Sequence, residues 1–163
     1  MTFNFLVGNF NSQRNKCTNT ILLLFAVFAF AAVGCESKKS AVDTRNTPAS
    51  LNGTWELNYI TGTRLAVNDL YTLKKPMLTF NINESKVNGN TGCNIFNGMI
   101  SDITPGKIVF DKNMAMTRMY CDGDGEKVFT ENFQKVDGFS ITDNGKTLHL
   151  MMGDIDLMRL QKK

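Results

Sequence analysis

The residues with the most definite chemistry in this 163-residue chain are its cysteines, since a thiol can be acylated, oxidised or bound to a metal. There are four of them: Cys17, Cys35, Cys93 and Cys121. Which of these reactions each thiol undergoes depends on the compartment in which the protein resides. The segment before Cys35 indicates that compartment.

Residues 1–34 have the pattern of a bacterial lipoprotein signal peptide. They contain two basic residues, Arg14 and Lys16, and no acidic residue, and an apolar run follows at 21–33 (ILLLFAVFAFAAV). This run of about 13 residues is shorter than a transmembrane helix, which needs about 20. A glycine then precedes Cys35, as is typical of cleavage before a lipid-modified cysteine. We predict that residues 1–34 are removed and that diacylglycerol is attached to Cys35; a buried helix is the alternative.

The residues after Cys35 are expected to tether the protein rather than to fold. Residues 36–50 (ESKKSAVDTRNTPAS) are polar and contain no aromatic side chain. This composition predicts a flexible tether over 35–50 with a root-mean-square reach of about 20 Å. The folded domain is expected at 51–163. Glu36 after the lipidated cysteine favours the outer membrane, so we expect a lipid-anchored domain in the cell envelope that faces the periplasm.

The charge balance argues against a nucleic-acid partner. The chain has 18 basic and 15 acidic residues, a formal net charge of +3. Because Arg14 and Lys16 leave with the signal peptide, the mature chain has 16 basic and 15 acidic residues, or +1. So small a net charge produces no strong positive field. We therefore expect no nucleic acid among the partners.

Cys93 and Cys121 are the two thiols that remain, because Cys17 leaves with the signal peptide and Cys35 is acylated. In an oxidising compartment they can form a disulfide. It would close a loop of about 29 residues and stabilise the fold by about 3–4 kcal/mol. Two buried free thiols are the alternative. A redox-active or metal-binding pair is less favoured, because the chain has no CxxC motif and no evident further ligand.

Two further patterns suggest chemistry but fit structural roles better. The segment 122–126 (DGDGE) begins like an EF-hand calcium loop, yet Lys127 and Phe133 stand where that motif needs glycine and an acidic residue. We interpret these acidic residues as caps of a following helix. His149 is the only histidine, so neither a zinc site nor a Ser–His pair is predicted. A hydrolase that uses two carboxylates is a third, weaker hypothesis.

Apolar periodicity predicts a mainly β domain. Alternation predicts strands at 54–60, 78–82, 108–110, 139–142, 148–152 and 155–160. Segment 126–136 instead has helical spacing of its apolar residues. The predicted fold class is α+β, with a strongly curved, antiparallel, barrel-like β-sheet and one main helix. A weak likeness between 80–87 (FNINESKV) and 139–150 (FSITDNGKTLHL) raises the hypothesis of a duplicated strand–hairpin unit.

Two motifs give the chain a family resemblance. They are GNTGCNIFNG at 89–98 and AMTRMYC at 115–121, and Trp55 lies in the predicted first strand. Together they resemble the META domain, the family of the bacterial heat-shock lipoprotein HslJ. The resemblance covers about residues 51–161. It implies strands on both sides of a helix in a duplicated, barrel-like arrangement, a location in the envelope, a link to heat or antibiotic stress, and no agreed catalytic activity.

The resemblance implies a function in binding rather than catalysis. We expect a membrane-tethered, non-enzymatic envelope lipoprotein that contributes to stress tolerance by binding an unknown envelope protein or ligand. No cofactor is expected beyond the covalent lipid on Cys35. The alternative is a periplasmic ligand-binding or inhibitor module of another kind, with its pocket at an open end of the sheet.

Three polar residues of the motifs are the candidates for binding: Asn94, Thr117 and Arg118. The guanidinium of Arg118, presented next to Asn94, could hold an anionic ligand or a partner carboxylate. The structural interpretation, which we favour, is that the stem of Arg118 covers the sheet rim. Its guanidinium would then donate to backbone carbonyls.

Overall fold

The computed structural model describes residues 46–163. Nine strands and two α-helices occur in this part of the chain. The strands are β1 Gly53–Ile60, β2 Met77–Asn81, β3 Lys86–Asn90, β4 Ile95–Thr104, β5 Lys107–Phe110, β6 Ala115–Met116, β7 Gly138–Thr142, β8 Thr147–Met152 and β9 Ile155–Lys162. The helices are α1 Val67–Leu70 and α2 Gly125–Phe133.

The strands pair antiparallel and the sheet closes on itself. Hydrogen-bonded neighbours follow the order β3-β2-β1-β9-β8-β7-β5-β4, and β4 also pairs with β3. The result is a closed barrel of eight strands, with the short β6 added beside β4. The shortest strand pairing in the barrel is between β5 and β7, where the one aligned pair is Lys107 with Gly138. The predicted α+β class, with a curved antiparallel sheet and one main helix, is confirmed.

Alternation along the strands fills the interior of the barrel. Trp55 and Leu57 on β1 are fully buried, whereas Glu56 between them is partly exposed. Aromatic rings from strands and helix meet in the core, where Phe110 and Phe133 stack with centroids 4.1 Å apart. The same cluster includes Phe80, Phe96 and Phe129. Such ring pairs stabilise the core beyond the area that they bury.

Helix α2 follows a glycine-rich turn and buries its aromatic face in the barrel. It ends at Phe133, earlier than the predicted limit of 136, and Val136 is buried in the turn that follows. Asp124 occupies the N-cap position, but its side chain makes no capping hydrogen bond. The expected side-chain cap is therefore not formed. Among the described residues, no helix has the length and apolar character that crossing a membrane requires.

The two hairpins of similar sequence also turn in a similar way. The β2–β3 connection is a 3-10 turn at Ile82–Glu84, and the β7–β8 connection is a 3-10 turn at Asp143–Gly145. Non-glycine residues with positive φ occur in both connections: Ser85, directly after the first turn, and Asp143 and Asn144 within the second. The likeness therefore extends from sequence to turn geometry, while the duplication of a larger unit stays a hypothesis.

Strand directions place the connections at two opposite ends of the barrel. We call the end that carries segments 61–76, 91–94 and 117–124 the loop end. The described chain enters at the other end, where the carbonyl of Asn46 accepts from the Gly106 amide (3.1 Å) and its side chain from the Ile141 amide (2.8 Å). The eight residues of β1, about 23 Å of strand, separate the two ends.

The last residues of the segment predicted to be a tether pack against the domain. Residues 46–50 lie against the domain, and a 3-10 turn at Pro48–Leu51 leads into β1. Leu51 is fully buried, and its carbonyl accepts from the indole N–H of Trp55 (2.8 Å). Residues 1–45, which include the predicted signal peptide and the predicted lipidation site Cys35, lie outside the described residues.

Candidate functional site at the loop end

A surface cavity of about 560 Å³ opens at the loop end. Its wall combines residues 70–74, 91–93, 119–122 and 125–126. These belong to the β1–β2 connection, the β3–β4 turn, the segment before α2 and the first turn of α2. Both sequence motifs therefore contribute to one cavity. No sequence signal indicated that the β1–β2 connection would join them.

Cys93 and Cys121 form a disulfide in the wall of this loop-end cavity, with Cα atoms 5.9 Å apart. The bond connects the β3–β4 turn with the segment before α2. Both residues are partly exposed. The structure thus has the disulfide rather than the two buried free thiols of the alternative interpretation.

The side chain of Asn94 connects the two motifs from a buried position, with 1% of its surface exposed. Its Oδ1 accepts hydrogen bonds from Thr117 Oγ1 (2.7 Å) and the Met119 amide (2.8 Å). Its Nδ2 donates to the Met119 carbonyl (3.1 Å) and to Glu126 Oε2 (2.7 Å). An amide has two donors and two acceptor positions, and all are occupied here. Asn94 therefore fixes the second motif against the first.

Thr117 and Arg118 are adjacent in sequence but have different surroundings. Thr117 Oγ1 donates to Asn94 and accepts from the Ile95 amide (3.0 Å). Arg118 is exposed, and it makes no hydrogen bond or ion pair with any other described residue. The expected bonds from its guanidinium to backbone carbonyls are thus not formed. Binding of an anion by Arg118 stays a prediction.

Tyr71 joins the β1–β2 connection to α2 and explains two of the glycines. Its hydroxyl donates to the Gly125 carbonyl (2.7 Å), and a Cβ at Gly125 would lie 2.8 Å from its ring. A Cβ at Gly92, which has φ +95°, would lie 2.4 Å from the same ring. Burial raises the pKa of Tyr71 well above its ordinary value. Gly92 of the first motif is therefore needed for close packing as well as for its turn.

The carboxylate of Glu126 lies against the disulfide. Glu126 Oε2 is 2.6 Å from Cys121 Sγ, and Asn94 Nδ2 is 3.2 Å from the same sulfur. A disulfide sulfur has no hydrogen to donate, so the first of these is a contact rather than a hydrogen bond. The atoms of Cys93, Cys121 and Glu126 are close enough to surround a cation. Sulfurs joined in a disulfide offer no thiolate, however, so the oxidised site does not suit a metal.

Three exposed side chains lie at the cavity, and we call them the apolar rim: Leu73, Met119 and Tyr120. Their exposed fractions are 97%, 59% and 90%, respectively. Single exposed apolar side chains are common on protein surfaces, whereas large contiguous apolar patches are typical of interaction surfaces. The rim combines the β1–β2 connection with the second motif.

The family assignment rests on the part of the chain that forms the barrel. The sequence profile of the META domain matches residues 49–163, which is well over half of the chain. The chain belongs to the META domain family. The matched region of this META domain contains both motifs, the disulfide and all the strands described above.

Two solved structures are similar to this META-domain chain. An NMR structure of a protein from Burkholderia xenovorans has a TM-score of 0.55 and 20% identity, over 71% of this chain and 88% of that one. Another protein structure solved by NMR has a TM-score of 0.50 and 19% identity, over 71% and 94%. At these identities the likeness shows the fold alone. Comparison with curated proteins finds no match.

The outer face of the META domain carries a polar cluster that sequence reasoning missed. His149 Nε2 lies 3.0 Å from Thr142 Oγ1, and its Nδ1 lies 2.9 Å from Asp156 Oδ2. The three residues come from β7, β8 and β9, so only strand pairing brings them together. Their connectivity is that of a hydroxyl–imidazole–carboxylate group, but none of them lines the loop-end cavity. A single histidine in the sequence gives no signal for this arrangement.

Proposed function

We propose that this META-domain protein is a lipid-anchored, non-enzymatic envelope protein that binds a partner protein through its apolar rim during stress. Membership of the META family supports a role in the envelope under stress. The signal-peptide pattern that ends at Cys35 supports anchoring, with the lipid on Cys35 holding the chain to the outer membrane and the domain in the periplasm. The rim supports the binding of a protein.

The contrast between a filled core and an exposed rim carries this proposal. The centre of the barrel is occupied by large buried side chains, with Trp55 and Phe133 fully buried. At the loop end, Leu73 and Tyr120 are almost fully exposed. Burial of such side chains contributes about 25 cal/mol per Å² of apolar surface, and aromatic residues dominate many binding interfaces. A partner that covers the rim would therefore gain free energy that the isolated domain leaves unused.

The position of the tether supports the same proposal. The described chain enters at the end of the barrel near Gly106 and Ile141, whereas the rim lies at the loop end. A lipid on Cys35 would therefore hold the domain by the end opposite to the rim. The rim would then be accessible to proteins in the periplasm.

Small-ligand binding is a second candidate, favoured by the volume of the loop-end cavity. About 560 Å³ lies within the range of about 300–1,000 Å³ that is typical of ligand sites. The wall offers the ring of Tyr71, the carboxylate of Glu126 and polar backbone groups. This candidate corresponds to the alternative of a ligand-binding module at an end of the sheet.

Photo-crosslinking in cells tests the proposal. A photoreactive amino acid placed at position 120 should give a protein adduct that increases on heat shock. The same amino acid at position 146 is the matched control, because Lys146 is exposed at the opposite end of the barrel. The substitution Leu73→Ser should reduce the adduct from position 120, because it removes apolar surface from the rim without touching the core.

Equal adducts from positions 120 and 146, or an adduct that Leu73→Ser leaves unchanged, would contradict protein binding at the rim. The small-ligand candidate predicts a different result. Under it, a filtrate of periplasmic small molecules should raise the melting temperature of the purified protein, and Tyr71→Phe should weaken that effect.

A further inference from the structure

We infer that the Cys93–Cys121 disulfide is a reversible thiol–disulfide exchange site for a partner polypeptide that carries two thiols. The bond lies in the wall of an open cavity rather than in the packed core, and the apolar rim lines the same cavity. This inference rests on the proposed binding function, since the rim would hold the partner. It adds the chemistry that the partner brings.

The two sulfurs differ in their electrostatic surroundings. Glu126 Oε2 is in contact with Cys121 Sγ at 2.6 Å, so it occupies the approach to that sulfur and its charge repels an incoming thiolate. A carboxylate oxygen of Glu126 also lies within 4.8 Å of Cys93 Sγ, but the close contact is with Cys121. The hydrogen-bonding groups around Cys93 Sγ are the Tyr120 carbonyl at 3.7 Å and the Asn94 amide at 3.9 Å, and both are uncharged. A thiolate should therefore attack Cys93.

A thiolate on Cys121 would be repelled by the Glu126 carboxylate beside it, so Cys121 leaves as its sulfur takes a proton. Asn94 Nδ2 lies 3.2 Å from Cys121 Sγ, and the N–H that it donates to Glu126 Oε2 can be shared with the departing sulfur, since that oxygen and the sulfur are 2.6 Å apart. Once that sulfur has taken a proton, the S–H can donate to Glu126, whose carboxylate is already within hydrogen-bond distance. Glu126 and Asn94 thus act as positioning residues: Glu126 determines which sulfur is approached, and both residues hold the sulfur that has left.

The exchange has two steps that balance in atoms and electrons. A partner thiolate, its proton released to solvent, forms a bond to Cys93 Sγ. The bond between Cys93 and Cys121 breaks, and its electron pair stays on Cys121 Sγ, which takes a proton from solvent. The second partner thiol, also deprotonated, then attacks the partner sulfur of the mixed disulfide. Cys93 leaves and takes a proton, so the domain gains two electrons and two protons while the partner dithiol becomes a disulfide.

Peptide mapping after brief reduction tests which sulfur is attacked. The oxidised protein, purified from membranes in detergent, is treated with reduced glutathione in native buffer, blocked with N-ethylmaleimide and digested for mass spectrometry. We expect glutathione on Cys93 and maleimide on Cys121, in excess over the reverse pattern by about fivefold or more. Glu126→Gln should lower this ratio towards one. Glu131→Gln on the exposed side of the same helix should leave it unchanged.

The dependence on urea separates an exchange site from a purely structural disulfide. Below the unfolding transition, the reduction rate of an exchange site should stay constant as urea is added. A disulfide that reacts only after unfolding should be reduced faster in step with the population of unfolded chains. The second behaviour would overturn the exchange site, and a mixed disulfide mainly on Cys121 would overturn the assigned attack on Cys93. Either result leaves the crosslinking test of the rim unaffected.

Two short peptides test whether the thiol comes from a polypeptide with apolar neighbours. A Leu-Cys-Phe peptide should react about 3–10 times faster than a Ser-Cys-Ser peptide, because the rim can bury its apolar side chains. Tyr120→Ser should remove this preference without slowing the reaction with glutathione. Equal rates for both peptides and for glutathione would show that the site takes small thiols and would overturn the polypeptide part of the inference.

Discussion

At the scale of single residues, the two motifs divide between groups that hold the fold and groups that face solvent. The side chains of Asn94 and Thr117 form hydrogen bonds with each other and with neighbouring backbone groups. Arg118 and Tyr120, in the same motif as Thr117, are exposed. All three candidate binding residues are polar, so the sequence could nominate them but could not separate Asn94 and Thr117, which bond to each other, from Arg118, which has no partner among the described residues.

Asn94→Ala should lower the free energy of unfolding by about 2–4 kcal/mol, because it removes four hydrogen bonds of a buried side chain and leaves Met119 and Glu126 without partners. Urea unfolding measures the change. Asn97→Ala is the matched control, because Asn97 belongs to the same motif but is exposed. Its loss should change the free energy of unfolding by no more than about 0.5 kcal/mol. Similar losses for both variants would show that the Asn94 network contributes nothing special.

We expect the buried Tyr71 to make the protein less stable at high pH. Because burial raises its pKa, the native state keeps the phenolic proton after an unfolded tyrosine, with a pKa of about 10, has released it. Below about pH 10, Tyr71 is protonated in both the native and the unfolded state. Above about pH 10, the free energy of unfolding falls as the pH rises. Tyr71→Phe should flatten this fall in urea titrations between about pH 9.5 and 11.5.

The control for this pH dependence is Tyr120→Phe, since Tyr120 is exposed in the native state. That variant should follow the pH dependence of the parent protein. A fall in stability that Tyr71→Phe leaves fully intact would mean that other groups cause it.

At the scale of elements, the predicted strands are those with clean alternation of apolar and polar residues. The predictions at 54–60, 78–82 and 139–142 match β1, β2 and β7 within one residue. The strands β3 and β4 were not predicted, because their glycines and asparagines hide the period of two. Their position follows from pairing with each other and with β2, which is a long-range property of the sheet.

Gly89 and Gly98 of the first motif differ in how much space a side chain would have, and Gly89 has less. A Cβ at Gly89 would lie 2.1 Å from the backbone oxygen of Met77, so strands β2 and β3 would have to separate. A Cβ at Gly98 would meet the movable side chain of Met114 at 3.1 Å. Gly89→Ala should therefore cost about 3 kcal/mol in urea unfolding, and Gly98→Ala about 1 kcal/mol or less. Equal costs would contradict this difference in packing.

At the scale of the whole molecule, we predict that a lipid on Cys35 anchors the domain in the envelope. Cys35→Ser should leave the protein uncleaved and without lipid, because the acylated thiol is lost, whereas Cys17→Ser should have no effect. Membrane fractionation and labelling with a radioactive fatty acid measure the difference. Lipid labelling that persists in Cys35→Ser would show that the anchor lies elsewhere.

The sequence by itself determined the fold class and the META resemblance; it nominated Cys93 and Cys121 as a disulfide but left two buried free thiols as the alternative. The fold class and the resemblance depend on local period and on motifs in order, both of which can be read along the chain. The structure settled the disulfide, because it brings the Cα atoms of the two cysteines to 5.9 Å. Only the tertiary structure decided that the β1–β2 connection, with Leu73 and Tyr71, joins the motifs at one cavity. Likewise, only folding placed Glu126 against Cys121, because contacts between distant segments arise from closure of the barrel and not from local spacing.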